Sequence, residues 1–265
     1  MYNKIDVITD IDDTIYPSNF GGSDVKFENH TVYPGVRAFY AQIKSEYVTL
    51  LTARPSSFYS DTKEEIEKAI GKPVKVLNGN LGDLNVGVGW DIMKRFFHIH
   101  TNSSYPSSID HLSGKTPIKW YSVYKDMAAT KFESIKKVVT PSIFIGDSGQ
   151  GDLICAYKIY EYKKTNPLPI ICFIHNIVKH KDYKGRTMAE LVMIKEDFKE
   201  SLREIGIHLF TNYIDLARQL VSLGFEFDLA RIREETLADF DRKKQFVYHQ
   251  NQQLASIIED DLIQK

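Results

Sequence analysis

Three carboxylates stand within four residues near the start of the chain, in the string DIDDT at positions 10–14. Acidic side chains at this spacing repel one another unless a cation or bound protons compensate their charge. Carboxylate oxygens suit a hard divalent cation, and magnesium often joins them to a phosphate group. A solvated acidic turn and a calcium loop are the alternatives, although residues 15–17 lack the spacing of an EF-hand loop. The string therefore favours a site for a hard divalent cation, with these two alternatives open.

Two further strings carry polar groups that suit phosphate or metal. In LTARP, at positions 51–55, the hydroxyl of Thr52 and nearby backbone amides would hold a phosphoryl oxygen, although such a threonine is more often a helix cap. In GDSGQGD, at positions 146–152, Asp147 and Asp152 suit a metal, and the glycines allow a tight turn. A helix N-cap would account for Asp152 equally well.

A lysine is expected near the start of the helix that precedes the GDSGQGD string. Four lysines compete for this position, namely Lys125, Lys131, Lys136 and Lys137. The alternative for any one of them is a solvated surface side chain.

These strings follow apolar segments that alternate with amphipathic ones. The pattern predicts strands at 5–8, 48–51, 74–77, 142–145, 169–175 and 207–210, and helices at 34–44, 60–70, 121–139, 152–163 and 213–223. Such alternation predicts an α/β domain with a mostly parallel sheet. Ligands of open α/β sheets bind beyond the carboxyl ends of the strands, which is where the three acidic or hydroxyl-bearing strings fall.

Composition narrows the classes of protein. The chain has 265 residues and a formal net charge of -1, from 34 basic and 35 acidic side chains, so nothing global favours nucleic acid as a partner. Cys155 and Cys172 lie in apolar contexts and are expected to be buried, reduced thiols. The start of the chain has no apolar stretch, and residues 170–174, the longest apolar run, are too short to span a bilayer. A soluble, cytoplasmic protein is therefore expected.

Two segments depart from the alternation. Residues 78–117 are rich in glycine and polar side chains and are expected to form an irregular insertion over the site. Residues 225–265 contain no glycine or proline and have apolar residues on roughly one side, which predicts a helical tail. The predicted organisation is a domain over 1–226, with an insertion at about 78–118, followed by a tail over 227–265.

The strings occur in the order typical of the haloacid dehalogenase (HAD) superfamily. More narrowly, VITDIDDTI, LTARP, TKFESIKKV and IFIGDSGQGD resemble the catalytic domain of the App1-type phosphatidate phosphatases, as does GIHLFTNYIDLARQLVSLG. The resemblance runs over about residues 5–225 with a divergent middle. The second motif of that family usually reads differently from residues 51–55, and residues 78–119 have no counterpart in it.

The resemblance implies a Rossmann-like three-layer parallel sheet with a small cap at the insertion. It also implies a Mg²⁺ held by Asp10, Asp147 and the backbone carbonyl of Asp12. Asp10 would be the nucleophile that becomes phosphorylated. Asp12 would protonate the leaving oxygen and later activate water, which requires it to hold a proton near neutral pH.

Four more side chains receive roles from the same resemblance. Thr52 would hydrogen-bond the phosphoryl oxygens, and Lys131 would balance the charge of the nucleophile and the phosphate. Asp152 would hold metal-bound water or orient Lys131. Arg54 is a candidate contact to the substrate.

The sequence leaves the substrate open. The leading reading is a phosphomonoesterase acting on a lipid such as phosphatidate, with substrate choice assigned to the insertion. A phosphoprotein, such as one carrying phosphotyrosine, is the alternative substrate. A third reading is an inactive scaffold whose tail binds a protein partner or a membrane surface, against which the intact acidic and lysine set argues.

Overall fold

The computed structural model describes residues 5–16, 32–52, 60–78, 118–148, 151–176 and 196–242. Three predictions lie wholly or partly outside this range. They concern Arg54, the insertion between residues 78 and 118, and the part of the tail beyond residue 242.

A parallel sheet forms the centre of the described structure. Its six strands lie in the order β3-β2-β1-β4-β5-β6, and every neighbouring pair is parallel. The strands are β1 (Asp6–Thr9), β2 (Val48–Thr52), β3 (Val74–Asn78), β4 (Ser142–Asp147), β5 (Ile170–His175) and β6 (Ile207–Phe210). The prediction of an α/β fold with a parallel sheet is confirmed, and the predicted strand positions differ from the observed ones by at most two residues at either end.

Helices follow or connect these strands. They are α1 (Val36–Gln42), α2 (Ser60–Ile70), α3 (Ile118–Ile135), α4 (Asp152–Lys163), α5 (Glu196–Glu204), α6 (Tyr213–Ser222) and α7 (Leu229–Arg242). The predictions at 60–70 and 152–163 match to the residue. Helix α5 was not predicted, although Phe198 and Leu202 stand four residues apart in a charged segment, which is the spacing of one helix face.

The sheet buries both of its faces, since successive side chains of a strand point to opposite sides. Val7 belongs to an apolar cluster that also contains residues of α1, α2, α6 and α7. Ile8, its neighbour in β1, belongs to a second cluster with residues of α3, α4 and α5. The described part of the chain therefore has three layers, with the sheet in the middle. This continuous burial explains why its strands read as apolar runs.

After β3 the chain returns to the middle of the sheet, and the later strands are added on the other side of β1. Strands β1, β2 and β3 step outward on one side, and β4, β5 and β6 step outward on the other side of β1. The carboxyl ends of β1 and β4 thus flank the topological switch point, where open α/β sheets leave a crevice for ligands. Asp10 follows β1, and Asp147 ends β4, so both predicted site residues lie at this crevice.

Helix α7 is the described part of the predicted tail. It packs against α1 and α6, and Ile232 and Thr236 on its inner side are fully buried. Gly35, with a left-handed φ of 82°, precedes α1, and a Cβ added to it would lie 2.5 Å from Thr236 Oγ1. This helix shares an apolar cluster with α1, α2 and α6, and the prediction of a helical tail to residue 265 stays a prediction. The predicted boundary at residue 226 stays a prediction.

Two smaller observations concern membrane-spanning helices and the cysteines. Within the described ranges, no helix has both the length and the apolar character needed to cross a membrane. Cys155 and Cys172 are free and buried, which confirms the interpretation of both as buried thiols.

If α7 belongs to the hydrophobic core, truncating its buried face must destabilise the whole domain. We expect Ile232→Ala to lower the free energy of unfolding by about 2–4 kcal/mol, from lost burial and the resulting cavity. Glu234→Ala, on the exposed side of the same helix, is the control and should change it by less than about 0.5 kcal/mol. Urea denaturation measures both. Equal stability of the two variants would show that α7 contributes nothing to the core.

Candidate functional site

Asp10 and Asp147 form the base of the candidate site. The backbone N–H of Asp10 donates to the carbonyl of Ile145 at 2.9 Å, which continues the pairing of β1 with β4 beyond the end of β1. Asp10 is 4% exposed, and Asp147 is completely buried. The two carboxylates are therefore held at adjacent strand ends, away from bulk water.

Lys131 is the cation of this group. It lies within the last two turns of α3, rather than near the start of the helix as expected, and it is 1% exposed. Its Nζ lies 2.9 Å from Asp10 Oδ1 and also forms an ion pair and hydrogen bond with Asp152 Oδ1. The structure thus brings Lys131, among the four candidate lysines, to the acidic group.

The competing lysines lie elsewhere or outside the described side chains. Lys136 pairs with Glu133 at the surface, and Lys137 is exposed. The side chain of Lys125 is outside the described part.

Asp152 begins α4 and connects the lysine to β4. Its Oδ1 accepts from Lys131, while its Oδ2 accepts from the backbone N–H of Asp147 at 3.3 Å. These contacts fit the expected role of orienting Lys131. Gly146 permits them, because a Cβ at that position would lie 2.5 Å from Asp152 Oδ2 and 2.6 Å from its Cβ. Contacts that close do not occur between real side chains, so the glycine is a steric requirement of the site.

The donor set fits a divalent cation. Asp10, Asp147 and Asp152 each offer a carboxylate oxygen within 4.8 Å of the others, whereas one lysine offers a single positive charge. Burial raises the pKa of Asp10 to about 8, with added effects of Asp152 and Asp12, and Lys131 opposes the rise. Burial and Asp152 also raise the pKa of Asp147 well above its ordinary value. A hard cation would replace the protons that these carboxyls otherwise hold.

Lys131 stays charged within this group. Burial by itself would lower the pKa of Lys131, but the nearby Asp10, Asp152 and Asp147 together raise it above its ordinary value. The ammonium is therefore a permanent positive charge beside Asp10.

The remaining predicted residues lie at the same edge where they are described. Asp12 is half-buried in the turn after β1, where it pairs with Tyr16 in an isolated bridge, and its charge acts on Asp10. Thr52 ends β2 and is 2% exposed. Arg54 is outside the described residues.

Sequence reasoning missed a buried polar group beside these residues. Tyr33 and His175 are 3% and 1% exposed, and their rings meet edge to face with centroids 4.8 Å apart. Burial and the charges of Asp13 and Asp147 raise the pKa of Tyr33. His175 ends β5, so the rule that strand-end polar residues face the site would have found it. Tyr33 carries no such signal.

Comparison with known proteins does not identify a family for this chain. No protein-family model matches the chain, and no curated protein matches its sequence significantly.

The raised pKa of Asp10 predicts a pH dependence of stability. Its carboxyl titrates near pH 8 in the folded, metal-free protein but near 4 when unfolded, so the folded state binds more protons between these values. Stability of the metal-free protein should therefore fall as the pH rises from about 4 to about 8.

If the acidic group holds Mg²⁺, the ion should offset that loss, because a cation binds ionised carboxylates in preference to protonated ones. We expect saturating MgCl₂ to raise the melting temperature more at about pH 9 than at about pH 6. Thermal melts with and without chelator measure the difference, with Asp10→Asn as the control in which it shrinks. An equal shift at both pH values would contradict the assignment of these carboxyls to a cation site.

Gly146 offers a steric test of the same group. We expect Gly146→Ala to destabilise the protein by about 1–3 kcal/mol, because its methyl group displaces Asp152. The Asp152→Gly variant lacks the side chain that the new methyl group would meet. In this background, Gly146→Ala should therefore lower the free energy of unfolding by less. Chemical denaturation of the four proteins in this cycle gives the coupling energy. Strictly additive effects would show that Gly146 is needed for another reason.

Proposed function

We propose that this chain is a magnesium-dependent phosphomonoester phosphatase of the haloacid dehalogenase type, with Asp10 as its nucleophile. The observation that carries the proposal is the buried ion pair of Lys131 with Asp10 and Asp152 beside Asp147. A carboxylate held by a permanent cation at the switch point of a parallel sheet is suited to attack on an anionic group.

The first step would transfer the phosphoryl group to Asp10. A carboxylate oxygen of Asp10 would form a bond to phosphorus as the bond from phosphorus to the ester oxygen breaks. Asp12, two residues further on, would give its proton to the departing oxygen. The products of this step are the free alcohol and an aspartyl-phosphate.

The second step would regenerate the carboxylate. Asp12, now ionised, would take a proton from water as the water oxygen attacks phosphorus, and the bond to Asp10 would break. Inorganic phosphate would leave, and both aspartates would return to their starting states.

Charge balance would come from the rest of the group. Lys131 contacts Asp10 directly and would offset the charge of the phosphate during transfer. Thr52, at the adjacent strand end, would donate its hydroxyl to a phosphoryl oxygen. Mg²⁺ held by Asp10, Asp147 and the Asp12 carbonyl would supply further positive charge and align the phosphate.

The site residues identify the substrate only as a phosphomonoester. The named side chains address phosphate, cation and leaving oxygen, which every phosphomonoester shares. The sequence resemblance favours phosphatidate, and the insertion predicted to select among substrates lies outside the described residues. Phosphomonoester hydrolysis is therefore the reaction proposed, with phosphatidate as the leading substrate.

Replacement of the nucleophile tests the reaction. We expect Asp10→Asn to reduce turnover by roughly three orders of magnitude or more, since the amide has the shape of the carboxylate but is not nucleophilic. The assay is magnesium-dependent release of phosphate from a panel of lipid, nucleotide, sugar and peptide phosphomonoesters, with a thermal melt of each protein.

Asp6→Asn is the matched control, because Asp6 lies at the opposite end of β1. Its carboxylate accepts hydrogen bonds from Ser45 and Thr140, outside the site, so this variant should turn over near the wild-type rate. Labelled phosphate should be trapped on wild-type protein as an acyl phosphate that hydroxylamine releases. A folded Asp10→Asn protein with most of its activity would refute the covalent mechanism.

A further inference from the structure

Three loops at the carboxyl edge of the sheet meet at one buried histidine. His175 ends β5, and its backbone carbonyl accepts from the N–H of Ser148 in the loop after β4 at 3.0 Å. Its ring Nδ1 lies 2.7 Å from the carbonyl oxygen of Asp13, in the loop after β1. Its Nε2 lies 3.3 Å from the carbonyl oxygen of Thr211, in the loop after β6. His175 thus contacts the loops that follow three different strands.

The orientation of this ring is set by packing. Phe210 stacks on it with centroids 5.0 Å apart and planes at 16°, and Tyr33 meets its edge. Burial lowers the pKa of His175, and its contacts with the carbonyls of Asp13 and Thr211 oppose this lowering. Since a carbonyl only accepts, the short distance of 2.7 Å from Nδ1 to the carbonyl of Asp13 assigns a hydrogen to Nδ1, which donates to Asp13.

The next carbonyl along the loop is held in the same way. Tyr213, fully buried at the start of α6, donates its hydroxyl to the carbonyl of Thr14 at 3.0 Å. The position of Tyr213 is itself fixed, because the side chain of Asn212 caps α6 by accepting from the N–H groups of Ile214 and Asp215. Two consecutive carbonyls therefore receive hydrogen bonds from side chains 162 and 199 residues away.

The loop held at these carbonyls has an unusual backbone. Asp13 has a φ of 55°, and among the described residues it is the only one other than glycine in the left-handed region. Its N–H donates to the carbonyl of Tyr16 at 2.6 Å, which closes the turn. A left-handed residue with a side chain persists only where its surroundings hold it. The carbonyl of Asp12 is part of the peptide that joins it to Asp13. The orientation of this peptide therefore sets the direction of the Asp12 carbonyl and the position of the Cα from which the Asp12 side chain extends.

We propose that His175 and Tyr213 form a clamp that positions Asp12 by holding the carbonyls of Asp13 and Thr14. Both are positioning residues, since they act on the reaction through the loop. The consequence for turnover rests on the proposed phosphatase function, whereas the consequence for loop order and cation binding does not.

The test removes the hydrogen-bond donor of His175 or of Tyr213 and keeps an aromatic ring at that position. His175→Phe keeps an aromatic ring for stacking on Phe210 but has no N–H, and Tyr213→Phe lacks only the hydroxyl. His175→Asn is the rescue variant, because its amide nitrogen reaches the position of Nδ1. Tyr162→Phe, at the far end of α4, is the control for losing a hydroxyl.

Three quantities are measured on the full chain well below its melting temperature. They are hydrogen exchange of the amides at 13–16, the rise in melting temperature caused by MgCl₂, and kcat and KM on the best phosphomonoester of the panel. We expect His175→Phe and Tyr213→Phe to speed exchange about tenfold or more and to weaken Mg²⁺ stabilisation. They should lower kcat by about 10–100-fold with a smaller change in KM. His175→Asn should recover most of each loss, and Tyr162→Phe should match wild type.

The outcomes separate this clamp from simple structural support. Wild-type exchange and Mg²⁺ stabilisation in both phenylalanine variants would overturn it. Equal losses of exchange protection and Mg²⁺ stabilisation in His175→Asn and His175→Phe would also overturn it. Such a result would show that the N–H donor at position 175 has no effect and that the residue acts only by packing. If His175→Phe does not fold, Tyr213→Phe decides alone. If wild type hydrolyses nothing in the panel, the proposed function fails while exchange and Mg²⁺ stabilisation still decide the clamp.

Discussion

The ammonium of Lys131 is buried among carboxylates, and much of the surrounding structure serves to keep it there. A buried charge is costly unless its partners are close and well oriented, and removing one partner leaves the other uncompensated. Asp10 and Asp152 meet this requirement from two different loops, and Asp147 adds a third carboxylate beside them. Because negative charge exceeds positive, the group is balanced only with bound protons or a cation. The three carboxylates lie close enough together to hold such a cation.

Parallel pairing is what brings those loops together. The pairing of Thr9 with Ile145 aligns the ends of β1 and β4, so Asp10 and Asp147 follow at neighbouring positions. The six buried residues of β4 and the apolar helices on both faces give this edge a rigid base. The side chain of Asp152 can approach the end of β4 only because Gly146 has no side chain and leaves the space that Asp152 occupies. Rigid strands place the carboxylates, and loop sterics set their final separation.

Prediction from the sequence succeeded where local patterns carry the information. Apolar runs identified the strands, because a sheet covered on both faces requires them, and the helices predicted at 60–70 and 152–163 match α2 and α4 to the residue. Strand-end position singled out Asp10 and Asp147 without any knowledge of contacts, and Asp152 stood out in the same glycine-rich string as Asp147. Helix α5 was missed, although Phe198 and Leu202 have the i, i+4 spacing of a helix face. Lys131 was chosen from four lysines by resemblance, and local pattern alone would not have separated it from its neighbours.

By itself, the sequence determined the α/β class, the strand and helix positions and the acidic residues, because each depends on residues close together in the chain. Tertiary structure alone decided the strand order, the burial of Lys131, the steric need for Gly146 and the contacts of His175 and Tyr213 with the loop after β1. The last two contacts join residues 162 and 199 positions apart. Such contacts exist only after the strands have paired and the helices have packed, and no local pattern of side chains encodes them. A histidine at a strand end or a tyrosine at a helix start reads the same whether it meets a carbonyl or solvent, so only the folded chain distinguishes them.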